Sequence, residues 1–232
     1  MKPELFLPTK EFKQLIGISD CELMHKRLSG ELKFVKKGNA FLYRVDDKRL
    51  LLKHPLASQL INWYRERHPI SIDNSPKEVE SINSILSLIE TILLPINKKF
   101  GDINITYGFV SYELNSYIQK HSSSGTYPTI DQHAGSELNK SNNQICKRHG
   151  IACDFFVKGF ENKMNEVTQY IVKNLDFDKL YYYSESRPIH VSVGDSCERH
   201  LQLMNISEKG RRIPGRKAYG DEAITLAEEL AK

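Results

Sequence analysis

The stretch Arg187-Pro188-Ile189-His190-Val191-Ser192-Val193-Gly194 places a histidine inside a short apolar run, and it is the most informative part of the chain. Two upstream stretches complement it: Gly150-Ile151-Ala152-Cys153-Asp154-Phe155 and Asp131-Gln132-His133. Together the three stretches offer two histidines and one carboxylate. A catalytic zinc site needs three protein ligands and one open position for water. Their order along the chain therefore predicts a metal site.

The same order resembles the hedgehog/D-Ala-D-Ala peptidase superfamily, the fold of zinc D-Ala-D-Ala carboxypeptidases and related phage endolysins. The resemblance extends from about Ile85 to about Met204, roughly half of the chain. It implies an α+β domain in which helices pack on a small antiparallel sheet. It also implies Zn²⁺ as the cofactor, with His133, Asp154 and His190 as its ligands.

His149 is a competing first ligand, because it lies only five residues before Asp154, close to the short spacing in the family. His133 lies much further upstream, which implies an insertion between the first two ligands. Its context is the better one, since Asp131-Gln132-His133 resembles the family's Ser-Gln-His. We therefore rank His133 first and keep His149 as the alternative.

Two positions depart from the catalytic pattern of the family. The resemblance implies a glutamate as general base three residues before the last histidine, and Arg187 stands there. It also implies an arginine at the position of Val110. Glu185 and Glu137 are the candidate replacements for the missing base, and ordinary surface glutamates are the alternative interpretation of both.

Several residues are candidates for binding a small anionic or peptide substrate. Arg187 can clamp a phosphate or a carboxylate. Arg211 and Arg212 belong to the basic stretch 209–217, which we expect to be a loop beside the cleft or, alternatively, a solvated connector. Ser111 follows Val110 and is a further candidate.

The chain divides into three parts by pattern: an accessory unit over residues 1–54, a helix and linker over 55–76, and the metal domain over 77–232. In the first part, Thr9 and Ser19 are candidate caps of two helices, and a hairpin follows around Lys37-Gly38-Asn39. This resembles a small winged helix-turn-helix, whose second helix, Asp20–Leu28, would contact DNA. A role in docking to a protein or in packing is the alternative, because Asp20 and Glu22 would repel phosphate.

Within the metal domain, Ser75-Pro76 predicts the start of a long amphipathic helix. Ile151–Val157, Lys179–Tyr183 and Pro188–Val193 read as strands, the last two as antiparallel neighbours. Val167–Leu175 and Thr225–Leu230 read as helical. Alternation along Tyr181-Tyr182-Tyr183 predicts that one or two of these rings face a cleft or the core.

Composition limits the class of protein. A net charge of +4 is too small to indicate a nucleic-acid partner by itself. The four cysteines are too few and scattered for a disulfide framework, so we interpret them as reduced thiols. No uninterrupted apolar run reaches a membrane span, and the start of the chain lacks the core of a signal peptide. We expect a cytoplasmic protein with no membrane partner.

The sequence therefore favours a zinc-dependent hydrolase of this fold with altered specificity, cleaving an amide or a related bond. A non-catalytic module stabilised by the metal is the second interpretation. Nucleic-acid binding or regulation through residues 1–54 is the third.

Overall fold

The computed structural model describes residues 6–45, 52–68, 70–121, 132–208 and 212–231. The chain forms two compact units, Met1–Ser58 and Gln59–Lys232. The observed boundary lies close to the end of the accessory unit expected from the sequence. Both units combine helices with a sheet, so the α+β class is confirmed.

The first unit is built around a three-stranded antiparallel sheet in the order β1-β3-β2. Its elements are, in chain order, β1 (Phe6–Pro8), α1 (Thr9–Ile16), α2 (Asp20–Leu28), β2 (Phe34–Lys37) and β3 (Ala40–Arg44). Phe12 of α1 stacks on Tyr43 of β3 with ring centroids 5.0 Å apart. Both rings are buried, and they fix the first helix on the sheet.

One of the two helix caps expected in this unit is present. Ser19 and Glu22 form a reciprocal capping box, in which the Ser19 N–H donates to the Glu22 carboxylate at 2.8 Å. The prediction for Thr9 is wrong, since α1 begins after Pro8 and has no side-chain cap. The Thr9 hydroxyl instead donates to the Phe41 carbonyl at 3.4 Å, tying the helix to β3.

Helix α3 (Pro55–Asn62) crosses the boundary between the two units. Among the described residues, five further α-helices lie within the second unit: α4 (Val79–Leu88), α5 (Leu94–Phe100), α6 (Tyr112–His121), α7 (Met164–Asn174) and α8 (Gly220–Glu228). Short 3₁₀ turns follow α3 at Trp63–Glu66 and α8 at Glu229–Ala231. The helix predicted from Ser75-Pro76 is real but begins later, at Val79.

A π-helical segment, Ile89–Leu93, joins α4 to α5 without a break. It directly precedes the first turn of α5, which contains Pro95. Proline has no N–H and its ring crowds the carbonyl one turn earlier, so a widened turn accommodates it within a continuous helix. The helical stretch Val79–Phe100 therefore continues through Pro95, although proline commonly ends a helix.

This helical stretch, Val79–Phe100, is long and apolar enough to cross a membrane by length and composition alone. Half of its most apolar window is buried inside the protein. Ile85, Ile89, Ile92 and Ile96 are fully inaccessible, at the spacing of one helix face. A core helix passes the same test, so the feature is weak evidence for a membrane span.

The sheet of the second unit has six strands in the order β4-β5-β7-β6-β8-β9. They are β4 (Ile103–Tyr107), β5 (Ile151–Val157), β6 (Lys179–Tyr182), β7 (Ile189–Val193), β8 (His200–Ile206) and β9 (Arg212–Ala218). All neighbours are antiparallel except β6 and β8, which run parallel. The expectation of a purely antiparallel sheet is thus wrong at one pair.

Strands β8 and β9 were not predicted. The stretch 209–217, expected to be a loop, forms most of edge strand β9 from Arg212 onward, while residues 209–211 lie outside the described structure. Proline is tolerated on edge strands and at bulges, and Pro214 occupies such a place beside an irregularity in the β8–β9 register.

The two faces of this sheet differ in chemistry. Side chains alternate between faces along each strand, and directly paired residues share a face. One face is apolar and fully buried, carrying Cys153, Val191, Leu180 and Leu201. Helices α4, α7 and α8 contact these strands. The opposite face carries polar side chains, and it holds the candidate site.

The start of β5 depends on a glycine. Gly150 has φ +110°, and an added Cβ would collide with the Val193 carbonyl and the Gln132 amide nitrogen. Gly159 also has positive φ, +83°, but nothing lies within 4 Å of an added Cβ. Alanine at Gly159 would therefore add backbone strain alone, whereas alanine at Gly150 would add both strain and steric crowding.

We expect Gly159→Ala to lower the free energy of unfolding by about 1–2 kcal/mol through left-handed backbone strain. Gly150→Ala should cost clearly more, because the Val193 backbone cannot move without disturbing β7. Urea unfolding followed by fluorescence of Trp63, the single tryptophan, reports on this unit. Equal midpoints for the two variants would contradict the packing described for Gly150.

Candidate metal centre

Strands β5 and β7 bring two of the predicted ligands face to face. Asp154 and His190 are directly paired across the two strands, so their side chains project on the same face. Tyr107 flanks Asp154 on β4, and Tyr181 flanks His190 on β6. The register of four strands thus sets the position of the carboxylate and of one imidazole.

The third predicted ligand, His133, comes from the loop after the undescribed residues 122–131. The His133 carbonyl accepts a hydrogen bond from the Val110 N–H at 3.0 Å. Gln132 precedes it with φ +65°, and its amide donates to the His149 carbonyl and to the Asp178 carboxylate. These bonds hold the loop over the polar face of the sheet.

The three side chains converge on one point. His190 Nδ1 lies 2.7 Å from Asp154 Oδ1, and His133 Nε2 lies 3.5 Å from the same oxygen. One ligand atom from each residue can be chosen so that all lie within 4.8 Å of one another. Two imidazole nitrogens and a carboxylate oxygen in this arrangement can hold a metal ion.

The two histidines of this group are more deeply buried than Asp154. His133 and His190 are 4% and 2% exposed. The Asp154 side chain keeps 24% of its surface exposed. One side of the group therefore faces solvent, where a fourth ligand or a substrate can approach.

The protein keeps the Asp154 carboxyl ionised. Burial by itself raises the pKa of this group, but hydrogen bonds and positive charge from His133 and His190 outweigh that effect. The net result holds the pKa well below its usual range. An ionised carboxylate is the form that binds metals, so the electrostatics of the group match the requirement for a ligand.

Neighbouring groups orient both imidazoles. His133 Nδ1 lies 3.1 Å from the Gly108 carbonyl, which can only accept, so Nδ1 carries a proton and Nε2 is the ring nitrogen that faces Asp154. Tyr107 packs edge-on against the His133 ring at 4.6 Å. Tyr181 stacks on His190 with centroids 4.7 Å apart and an interplanar angle of 14°. These contacts fix the ring planes before any ion binds.

His149 does not join the group. Its side chain is exposed, and only its backbone carbonyl takes part, as the acceptor of the Gln132 amide. The structure brings His133, and not His149, next to Asp154 and His190, in agreement with the ranking from the sequence.

Glu137 has a structural role in the structure. Its carboxylate accepts hydrogen bonds from the backbone N–H groups of Lys77 and Glu78, each at 3.1 Å, at the start of α4. Burial raises its pKa, while these bonds act in the opposite direction. Glu137 lies outside the group that can hold a metal, and its bonds explain the carboxylate as a helix cap.

Glu185 and Arg187 lie in the exposed turn between β6 and β7. Burial, and to a smaller extent the negative charge of Glu185, raises the pKa of Tyr182 to about 12. Tyr182 alternates with Tyr181 and so points to the opposite face of the sheet from His190. Glu185 is likewise outside the metal group. Among the described residues, neither Glu185 nor Arg187 forms a side-chain hydrogen bond or ion pair with the three candidate ligands, and their predicted roles stay predictions.

Ser111 is fully buried, and its bonds are internal. Its hydroxyl accepts from the Leu114 N–H and donates to the Asp73 carbonyl, both at 3.3 Å. Its N–H donates to the Asn74 side chain at 2.7 Å. These bonds cap α6 and leave the hydroxyl occupied, which corrects the expectation that Ser111 contacts substrate.

Arg212 stacks on an aromatic ring of the polar face. Its guanidinium carbon lies 4.4 Å from the centroid of Tyr183. Arg211 lies outside the described residues. Tyr181 contacts His190, so one of the rings of Tyr181-Tyr182-Tyr183 faces the candidate site, as expected from the sequence.

The four cysteines are free and do not belong to the metal group. Cys146 and Cys153 are buried, and Cys21 and Cys197 are exposed. Burial raises the pKa of the Cys153 thiol well above its usual range. Cys153 is therefore an inert core thiol on the apolar face of the sheet.

Further residues of the polar face were missed at the level of sequence. They share a face with the ligands through strand register: Tyr107, Lys179, His200, Gln202 and Lys217. Alternation along β8, where Leu201 and Leu203 separate polar residues, was the available signal.

Comparison with known proteins gives no matching family model, no matching curated protein and no matching solved structure.

Proposed function

We propose that this protein is a zinc-dependent hydrolase in which His133, Asp154 and His190 are the metal ligands. The observation that carries the proposal is the convergence of two buried imidazoles on an ionised carboxylate that keeps one side open to solvent. The resemblance to the hedgehog/D-Ala-D-Ala peptidase superfamily supports the same assignment, since it implies these three residues in this order.

The donor set fits zinc better than the common alternatives. Imidazole nitrogen and carboxylate oxygen suit Zn²⁺, whereas Mg²⁺ and Ca²⁺ prefer a shell made of oxygens. Three protein ligands with an open side are the pattern of catalytic rather than structural zinc sites, which are closed by four. Bound there, zinc would lower the pKa of a coordinated water to about 7 and polarise a carbonyl oxygen.

The residues around the ligands have separable tasks. The Gly108 carbonyl fixes the tautomer of His133, and the Val110 N–H anchors its backbone. Tyr181 covers one face of the His190 ring and excludes water from it. Asp154 contributes the single negative charge, so the loaded site would keep a net positive charge that attracts an electron-rich carbonyl.

Peptidase chemistry of the usual kind lacks two parts. Arg187 and Val110 stand where the resemblance implies a general base and a cationic group, and Val110 is fully buried. Glu137 and Glu185 lie outside the metal group. We therefore propose that the substrate differs from a D-Ala-D-Ala dipeptide, while the bond cleaved is still an amide or a related one.

A metal-stabilised binding module is the second candidate. The ion would connect the loop of His133 with strands β5 and β7, which are distant in sequence. Such a link stabilises a fold whether or not a reaction follows. The two candidates share the ligands and differ in whether the open side supports chemistry.

Metal content tests the ligand set. We expect about one zinc per chain in the wild-type protein and more than about 10-fold weaker zinc binding in His133→Ala and His190→Ala. His149→Ala is the matched control, because this exposed histidine should leave zinc binding unchanged. Metal analysis after dialysis at fixed free zinc gives the numbers. Loss of zinc in His149→Ala alone would show that the alignment across the insertion is wrong.

Zinc should also stabilise the second unit. At free zinc 100-fold above its dissociation constant, the free energy of unfolding should rise by about 2.7 kcal/mol. Urea unfolding followed by Trp63 fluorescence measures this, with Asp154→Ala as the comparison. In that variant we expect the zinc-dependent part of the stability to vanish. An equal gain in both proteins would mean that zinc binds elsewhere.

Hydrolysis of D-Ala-D-Ala dipeptides should be weak or absent in the zinc-loaded protein. Loss of a general base typically costs about 10²–10⁴-fold in rate. A sensitive release assay with His190→Ala as the blank measures it. Robust cleavage would overturn the proposed change of specificity and make Glu185 and Glu137 the next residues to substitute.

A further inference from the structure

The polar face of the sheet extends beyond the metal row. Asp154, His190 and Tyr181 lie side by side across β5, β7 and β6. A second row of side chains crosses the same face two residues further along these strands. It consists of Ser192 on β7, Lys179 on β6 and His200 on β8. Rows on one face are about 7 Å apart and strands about 4.8 Å apart. His200 is therefore about 12 Å from His190, within reach of one small substrate.

His200 is an unexplained buried polar group in this row. It is 8% exposed, and neither ring nitrogen has a hydrogen-bond partner among the described residues. Buried polar groups are almost always paired, so each exception requires an explanation. A neutral imidazole offers one donor and one acceptor, which a ligand on this face can satisfy.

Aromatic rings connect His200 to the metal centre. Tyr181 stacks on His190 and approaches His200 edge-on at 6.5 Å. On its other side, His200 stacks on Tyr219 with centroids 4.4 Å apart and an interplanar angle of 14°. Tyr219 is 45% exposed. The rings form a continuous floor from the ligands to solvent.

The charge around His200 is mainly positive. Burial, and then the charges of Lys179, Lys217 and Arg148, lower its pKa, with Glu198 acting in the opposite direction. The Lys179 side chain is only 16% exposed, and its ammonium pairs with the exposed Glu198 at 3.6 Å. Lys217 lies 5.7 Å from the Tyr219 ring centroid. Lys179 and Lys217 therefore place two ammonium groups near His200, and the exposed Glu198 carboxylate pairs with the first of them.

We propose that Lys179, His200 and Lys217 form a substrate subsite that binds an anionic group, a carboxylate or a phosphate, about 12 Å from the metal ligands. The inference rests on the proposed function only for its orientation: the anion binds here while the bond to be cleaved lies at the metal. The substrate class is an amide or related compound that carries this remote anionic group. The exposed Arg187 turn is not needed for this recognition.

The test uses the full-length protein, zinc-loaded and zinc-free, with inorganic phosphate and N-acetylglycine as separate probes. The NMR signals of the His200 ring, assigned from His200→Gln, are followed as each probe is added. We expect a saturable shift with at least one probe in both metal states. Phosphate alone identifies a phosphate subsite, N-acetylglycine alone identifies a carboxylate subsite, and both together identify a general anion subsite.

Lys179→Met should weaken the dissociation constant of the bound probe at least 10-fold. Lys173→Met is the matched control, since this exposed lysine lies on α7 away from the polar face, and it should change binding less than 2-fold. No saturable shift of His200 with either probe, or equal effects of the two lysine variants, would overturn the subsite. A protein that binds no zinc yet still shows the shift would refute the hydrolase and leave the anion subsite standing.

Discussion

The largely buried carboxylate of Asp154 is the constraint on which the rest of the second unit depends. A buried carboxylate without partners costs several kcal/mol, and here two imidazoles supply the compensation. One of them requires the β5–β7 register that places His190 opposite Asp154. The other requires a long loop to return over the sheet, held by Gln132 and by the Gly108 carbonyl. The polar site and the strand order are therefore specified together.

Local patterns predicted the elements that bury apolar residues at a clear period. Strand Ile151–Val157 was correct at both ends, whereas the helix expected over Val167–Leu175 begins three residues earlier, at Met164, and ends at Asn174. Strand β9 could not be found in this way. Its sequence contains Pro214 and Gly215, and it forms because β8 offers a partner and the edge position tolerates a proline. The sequence of β9 has no apolar alternation of its own, so its pairing with β8 rather than a local pattern makes it a strand.

The group that can hold a metal was predictable because Asp154 and His190 interrupt apolar strands and because the order of the three motifs resembles a known family. The supporting residues were not, because the same side chains serve unrelated tasks. Glu137 and Ser111 looked like active-site groups beside the motifs, but they cap α4 and α6. A carboxylate that accepts backbone N–H groups and one that accepts a proton from water are identical in sequence. The two roles can be distinguished only when the structure shows whether the side chain lies at the end of a helix.

Specificity in this fold can change without a change of ligands. The three ligands lie on β5, β7 and one loop, whereas the proposed anion subsite draws on β6, β8 and β9. Lys217 and Tyr219 lie beyond the segment that resembles the peptidase superfamily, which ends near Met204. Because strand register alone connects the two sets, residues outside that segment can select the substrate while the metal geometry is preserved. The proposed zinc site and the proposed change of substrate are therefore compatible within one sheet.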